Sequence, residues 1–178
     1  CSEAQVARVL EANDDWLIHG TSFKPWPACR HTHATIDCVL ALRDRLGGAA
    51  LRYSGAMVEA FADAIRICDQ PRPSTQTEAK FSLQYAVAAA ARWGRLLPEH
   101  FDTSAFRDPD LASAASRVLL RADAGFSQLY PAHYGARVTL QLADGSSHMA
   151  QVDDSFGDPE RPMCADDILI KARNLMAY

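Results

Sequence analysis

An alternating pattern on both sides of an Asp-Gly pair is the feature that most constrains the fold of this 178-residue chain. Residues 138–142 alternate apolar and polar side chains, Asp144-Gly145 has the composition of a tight turn, and residues 148–152 can form the return strand. Because side chains of a strand point alternately to its two faces, each segment can bury one face and expose the other. The sequence therefore predicts an antiparallel β-hairpin.

Helical patterns occur before and after this hairpin. The clearest helix is predicted over residues 79–93, because Thr75 and Glu78 have the spacing of a capping box, and on it Phe81 and Tyr85 would share one face. Other helices are predicted over residues 32–46, from Asp108-Pro109 onward and over residues 164–178, and another strand is predicted over residues 118–120. Together these elements predict one α+β domain over residues 1–178, built of mixed helices and a small antiparallel sheet.

Three further segments have weaker patterns. Residues 2–10 have the period of a short helix. Residues 16–18 and 22–23 are β-prone, so a strand interrupted by Gly20 is predicted there, and it would end at a loop stiffened by Pro25 and Pro27. Residues 53–68 fit either a strand or a helix, and their type stays open.

Charge and hydropathy exclude two classes of partner. The chain has 18 Lys and Arg against 22 Asp and Glu, a net charge of −4, and no basic run, which argues against binding to nucleic acid. Its longest apolar stretch, residues 85–91, is far shorter than the roughly 20 residues of a membrane-spanning helix. We therefore expect no nucleic-acid partner and no membrane partner.

The cysteines and the chain ends indicate a cytoplasmic piece of a longer protein. Five cysteines are scattered without a CxxC pair, which fits a reducing cytoplasm better than a secreted disulfide framework. The chain begins with Cys1 instead of Met, and its last predicted helix reaches Tyr178 without a stop signal. We expect that both ends have been cut.

The densest group of chemically active side chains lies in residues 24–33, namely Lys24, Cys29, Arg30, His31 and His33. An amine, a thiol, a guanidinium and two imidazoles in so short a segment are typical of acid–base sites. A solvated loop whose prolines set its shape would have the same composition, so both interpretations stay open.

Metal binding and nucleophilic catalysis have less support in this segment. Cys29, His31 and His33 are zinc-ligand types, but their spacing lacks the second ligand pair of a structural zinc site, and no metal is expected. A nucleophilic Cys29 would need a base and an oxyanion pocket that the sequence does not show. Periodicity alone favours a core position for Tyr85 and a surface position for Lys80. Nucleotide-binding glycine loops are absent from the sequence.

Three segments resemble the MmgE/PrpD family, which includes 2-methylcitrate dehydratases, cis-aconitate decarboxylases and an iminodisuccinate epimerase. They are residues 23–33 with a lysine–proline–aromatic–proline loop, residues 78–87, and residues 157–171. The resemblance implies that the chain is the smaller, inserted α+β domain of a parent about twice as long. This parent would also have a large helical domain that the present chain lacks. That domain would be formed by the N-terminal part of the parent together with its other chain end, and residues 164–178 would lead back to it.

The resemblance also implies roles for individual residues. Lys24, Cys29 and His33 would be catalytic, whereas His31, Tyr85 and Arg30 would bind substrate, with no metal and no cofactor. Position 29 is a histidine in the decarboxylase branch and a cysteine in many dehydratase-like members.

The implied function is that of a substrate-capping domain in a cofactor-independent lyase, a 2-methylcitrate dehydratase-like enzyme of propionate metabolism. Its substrate would be a small tricarboxylate or dicarboxylate, and the full-length protein would be a homodimer. The isolated chain would be inactive. An epimerase or isomerase of amino-dicarboxylates and a non-catalytic binding or assembly module are the alternatives.

Overall fold

The computed structural model describes residues 17–178, and its centre is a four-stranded mixed sheet. The strands are β1 (Tyr53–Ala60), β2 (Val118–Ala122), β3 (Ala136–Leu142) and β4 (Ser147–Val152), in the order β2-β1-β3-β4. β1 is parallel to β2 and antiparallel to β3, and β3 is antiparallel to β4. The predicted α+β class is confirmed. The parallel β1–β2 pair was not predicted, since the sequence suggested antiparallel pairing throughout.

The predicted hairpin is confirmed as β3 and β4. Val138 pairs with Ala150 and Leu140 with His148, and Gly145 has the positive φ of 84° that the turn requires. Val138 and Leu140 are fully buried, because this face of the hairpin lies in the core. Alternation of side chains therefore fixed the register, as a slip by one residue would expose both.

The structure has eight α-helices within the described residues. They are α1 (His33–Arg45), α2 (Ala62–Cys68), α3 (Gln76–Lys80), α4 (Leu83–Trp93), α5 (Thr103–Phe106), α6 (Pro109–Ala115), α7 (Ala124–Leu129) and α8 (Ala165–Ala177). α1 packs against α4 and against β3 and β4, and α4 also packs against α6. The alanines of α4 are almost wholly buried, which allows its neighbours to approach closely. α1 and α4 therefore form the centre of the core.

The predicted helix over residues 79–93 is in fact two helices. Thr75 caps α3 as expected by accepting a hydrogen bond from the Glu78 backbone N–H at 3.1 Å. The Glu78 carboxylate also accepts hydrogen bonds from the N–H and the hydroxyl of Ser74, at 2.7 and 2.8 Å. Ser82 then caps α4 by accepting from the Tyr85 N–H at 2.9 Å, because its hydroxyl competes with helix continuation. The expectation that Phe81 and Tyr85 share a helical face was wrong.

The segments with weak or ambiguous sequence patterns have defined structures where the structure describes them. The ambiguous stretch is strand β1 followed by α2, with Phe61 at the junction. The strand predicted near residues 16–23 was wrong where the structure describes it, since Leu17–Gly20 is a 3₁₀ turn and Gly20 and the prolines prevent a ladder. Residue 16 and the helix predicted over residues 2–10 lie outside the described residues.

The last helix, α8, is confirmed but does not join the core. Each of its residues is exposed or only half-buried, including the apolar Leu169, Leu175 and Met176. Among the described residues, no helix has the length and apolar content needed to cross a membrane.

Candidate active site

A cleft of about 740 Å³ lies between the loop after residue 23, the α3–α4 break and helix α8. Its lining includes residues 24–29, residues 80–81, residues 94–98 and several side chains of α8. Each of the three segments that carried the family resemblance contributes to this lining. Segments far apart in the chain are thus brought together around one cavity.

The lining of the cleft is strongly cationic. Lys24, Lys80, Arg95 and Lys171 border it, against a single carboxylate, Asp167. That carboxylate accepts a hydrogen bond from the Cys164 N–H at 2.9 Å and so caps the start of α8. Within residues 17–178, none of the four cationic side chains has a carboxylate at ion-pair distance. The cleft therefore attracts anions.

Buried Asp37 on α1 holds two walls of the cleft together. Its carboxylate accepts hydrogen bonds from the Trp26 indole N–H at 3.0 Å, the Phe156 backbone N–H at 2.7 Å and Arg161 at 3.0 Å. The side chain is only 3% exposed, and this burial raises the pKa of Asp37, although its three donors oppose the rise. Trp26 and Phe156 both line the cleft, so one carboxylate positions both.

Backbone contacts fix the same loop from two further sides. The Phe23 N–H donates to the Gly157 carbonyl at 2.8 Å, and the Cys29 N–H donates to the Lys80 carbonyl at 2.9 Å. Gly157 has a φ of 92°, and a Cβ there would lie 2.0 Å from the Phe23 carbonyl oxygen. Only glycine permits so close an approach. Lys24 thus leaves a loop that is held at both ends.

Three potential ligand atoms meet behind the cleft. The Cys29 sulfur lies 3.2 Å from His31 Nδ1, and these two atoms and the Cys68 sulfur all lie within 4.8 Å of one another. Hydrogen bonding with Cys68, and then His31, lowers the pKa of the Cys29 thiol, whereas the shared proton raises the pKa of Cys68. Among the described residues this is the one group of three such side chains whose ligand atoms could hold a metal ion. His33, weighed as a ligand from the sequence, is not part of it.

His31 and Arg30 turn away from the cleft. The His31 ring packs among the rings of Phe61, Tyr130 and Tyr134. Arg30 forms an ion pair with Asp158 at 2.7 Å and stacks over Tyr134 at 3.8 Å. Neither residue borders the cavity that Lys24 and Cys29 line. The substrate-binding roles assigned to them stay predictions.

His33 and Tyr85 are core residues. His33 is 2% exposed, with Nε2 at 3.3 Å from the Ala28 carbonyl, and burial lowers its pKa to about 4. Tyr85 is 1% exposed and donates its hydroxyl hydrogen bond to the His100 carbonyl at 2.5 Å, while burial raises its pKa. Neither borders the cleft, and the catalytic and substrate-binding roles assigned to them stay predictions.

Four site residues escaped the sequence analysis. Lys80 was interpreted as a surface charge, and Lys171 was noted only as part of a resembling segment. Nothing in the local pattern pointed to Arg95 or Cys68, because each comes from a different element and joins the site only in the folded chain. Only their positions in the folded chain show that these residues belong to the site.

The fold and this cleft define a small α+β domain that carries a cationic wall. The chain belongs to the MmgE/PrpD family, because the family's C-terminal domain model matches residues 26–178. It is similar to the cis-aconitate decarboxylase of Mus musculus, with 23% identity over 165 residues, which cover 89% of this chain and 33% of that protein. The chain thus spans about a third of the length of this relative.

Proposed function

We propose that this domain forms the cationic wall of the substrate cleft in a lyase that acts on a small polycarboxylate, with dehydration of a 2-methylcitrate-like substrate as the reaction. The supporting observation is the set of four cationic side chains facing a cleft with one carboxylate. A volume of about 740 Å³ falls in the usual range for small-molecule sites, about 300–1,000 Å³. Family membership and the decarboxylase relative support lyase chemistry.

Lys24 is suited to stabilising charge that develops during the reaction. Removing a proton next to a carboxylate places enolate-like negative charge on the substrate, and a preorganised cation at that position lowers the barrier. Lys24 is exposed and borders the cleft, while its loop is fixed by Asp37 and Gly157. Lys80, Arg95 and Lys171 are left to bind the remaining carboxylates. Such a mechanism requires no cofactor.

Cys29 is suited to carrying a proton at the edge of the cleft. It is half-buried, borders the cavity, and has His31 Nδ1 3.2 Å behind its sulfur. Hydrogen bonding with Cys68 and His31 lowers the pKa of the Cys29 thiol to about 4, so at neutral pH the sulfur is ionised and can accept a proton. In dehydration, the substrate loses its α-proton to a base and the departing hydroxyl takes a proton to leave as water.

The opposite wall of the cleft is proposed to come from a helical domain elsewhere in the full-length protein. The mouse relative is about three times as long as the matched region, and α8 exposes Leu169, Leu175 and Met176 beside the cleft. Covering α8 would exclude water from the cleft and strengthen its electrostatic interactions. The second proton-transfer group and part of the substrate specificity would lie there.

Cys29 also favours a second candidate, epimerisation of an amino-dicarboxylate. Epimerisation uses the same α-proton removal but returns the proton to the other face, so it needs proton carriers and no leaving group. The same cationic wall would serve both reactions. Product analysis separates the two, because dehydration produces an alkene and epimerisation conserves mass.

The test is Lys24→Ala in the full-length protein, assayed with small tricarboxylates, hydroxy-dicarboxylates and amino-dicarboxylates. Turnover should fall by roughly a hundredfold or more, as for loss of one preorganised charge-stabilising donor. Thermal stability should hardly change, because an exposed amine contributes little to folding.

Arg72→Ala is the matched control, since Arg72 is exposed and lies outside the cleft lining. It should retain wild-type turnover. If Lys24→Ala also retains turnover, the lysine is a surface charge and the proposal is wrong. If none of the polycarboxylates is turned over by the wild-type protein, a binding or assembly module becomes the better assignment.

A further inference from the structure

The thiols of Cys29 and Cys68 form an arrangement that the proposed reaction does not use. Cys29 follows the proline-stiffened loop, whereas Cys68 is the last residue of α2, 39 positions later in the sequence. Their sulfur atoms lie within 4.8 Å of each other. The Cys29 side borders the cleft and is half-buried, whereas Cys68 is fully buried. Cys29 thus borders the cavity, whereas Cys68 lies in the core behind it.

His31 completes the group. Its Nδ1 lies 3.2 Å from the Cys29 sulfur, and three aromatic rings fix the imidazole in place. The other ring nitrogen, Nε2, is buried without a hydrogen-bond partner among the described residues. The imidazole is therefore directed at Cys29, where it can take up the thiol proton and give it back.

We propose that Cys29 and Cys68 are a peroxide-reactive dithiol, in which Cys29 is the attacking thiol and Cys68 is the resolving thiol. A thiol at the edge of a cavity, beside an imidazole and with a second thiol behind it, resembles the arrangement of redox-sensing cysteines. The other described cysteines lack it, because Cys38 is buried and binds the Ala136 carbonyl, and Cys164 is exposed without a neighbouring thiol.

Oxidation of the dithiol takes two steps. The Cys29 sulfur attacks one oxygen of hydrogen peroxide, the O–O bond breaks, and the thiol proton passes through His31 to the departing hydroxide, giving water and a sulfenic acid at Cys29. The Cys68 sulfur then attacks the Cys29 sulfur, the S–O bond breaks, and the hydroxide leaves as water with the Cys68 proton. Two thiols lose two electrons, and one peroxide becomes two waters.

Disulfide formation would remove the Cys29 thiol from the edge of the cleft and tie the Lys24 loop to α2. Turnover should then fall. This effect on turnover depends on the proposed function, but disulfide formation itself does not. Chemical mapping of the cysteines therefore tests the dithiol even if the substrate assignment is wrong.

The experiment treats the reduced chain with a modest excess of hydrogen peroxide, blocks the remaining thiols with N-ethylmaleimide and maps all five cysteines by mass spectrometry of peptides. The expected product is a peptide pair joined through Cys29 and Cys68, lighter by two hydrogens and released by dithiothreitol. Finding both residues alkylated while Cys164 is oxidised would overturn the proposal. Finding Cys29 joined to another cysteine would overturn it too.

Two variants sharpen the test. Cys68→Ser should stop the reaction at a Cys29 sulfenic acid that dimedone traps, because the resolving thiol is absent. Cys164→Ser is the control and should form the Cys29–Cys68 link at the wild-type rate. If Cys68→Ser disturbs folding, the wild-type peptide map still decides the question.

Discussion

Replacing Asp37 by alanine should remove the hydrogen bonds that hold the walls of the cleft together and lower the stability of the whole domain. The substitution leaves the Trp26 indole N–H and the Phe156 backbone N–H without their acceptor, at about 1–2 kcal/mol each. The bond to Arg161, whose side chain is half exposed, should add less than about 1 kcal/mol. We therefore expect a loss on the order of 3 kcal/mol, which lowers Tm by roughly 6–12 °C in a domain of this size.

Urea unfolding followed by circular dichroism measures this loss. Asp63→Ala is the control, since Asp63 forms only an exposed pair with Arg66, and it should change stability by less than about 0.5 kcal/mol. Asp37→Asn keeps one acceptor oxygen and should fall between alanine and wild type. A loss below about 1 kcal/mol for Asp37→Ala would refute the claim that this carboxylate holds the cleft together.

The pH dependence supplies a second test of the same residue. Because burial raises the pKa of Asp37, the folded protein binds its proton more tightly than the unfolded chain does. The contribution of this group is therefore fully present below its unfolded pKa of about 3.9 and declines as pH rises through the raised value. The stability difference between wild type and Asp37→Ala should thus be larger near pH 4 than at neutral pH.

Two further predictions concern Gly157 and His33. Gly157→Ala should lower the free energy of unfolding in urea by more than about 2 kcal/mol, because its Cβ would lie 2.0 Å from the Phe23 carbonyl oxygen. Gly145→Ala is the control, since Gly145 has a similar positive φ but open space around it, and it should lower the free energy of unfolding by only about 1 kcal/mol. Equal losses would contradict the close approach at Gly157. His33, whose pKa burial lowers to about 4, should stay neutral in an NMR titration down to pH near 5, and its contribution to stability is present above the usual histidine pKa and lost as pH falls toward 4. The pKa of His133, which hydrogen bonding with Asp154 raises, should instead be shifted above the usual histidine value. A normal pKa for His33 would contradict its burial.

The fold was predictable where a short segment determines its own structure. The hairpin needed only alternation and an Asp-Gly turn, and both features act within 15 residues. The break at Ser82 was missed because a serine can lie within a helix or cap a new one, and only the structure shows that its hydroxyl accepts from the Tyr85 N–H and caps α4. The parallel pairing of β1 with β2 was missed for a similar reason, since it depends on how 57 intervening residues fold.

The site was less predictable than the fold, because its residues share a cavity and not a sequence pattern. Lys24 and Cys29 stood out because they are close together in an unusual loop. Cys68 could not be found this way, since it reaches Cys29 only through the end of α2. The burial of His33 could not be predicted from the loop either, because it follows from the start of α1 at this residue, and its catalytic role stays a prediction.

Shape and charge of the cleft rest on different residues, which makes the two separable by experiment. Asp37 and Gly157 set the positions of Trp26 and Phe156 from behind the wall, and neither needs to touch a ligand. The lysines and Arg95 face the cleft and make no ion pair within residues 17–178, so removing one should spare stability. Asp37→Ala should therefore weaken folding and polycarboxylate binding together, whereas Lys24→Ala should lower turnover alone. A variant of Lys24 that lost stability in proportion to turnover would mean that the charge also holds the fold.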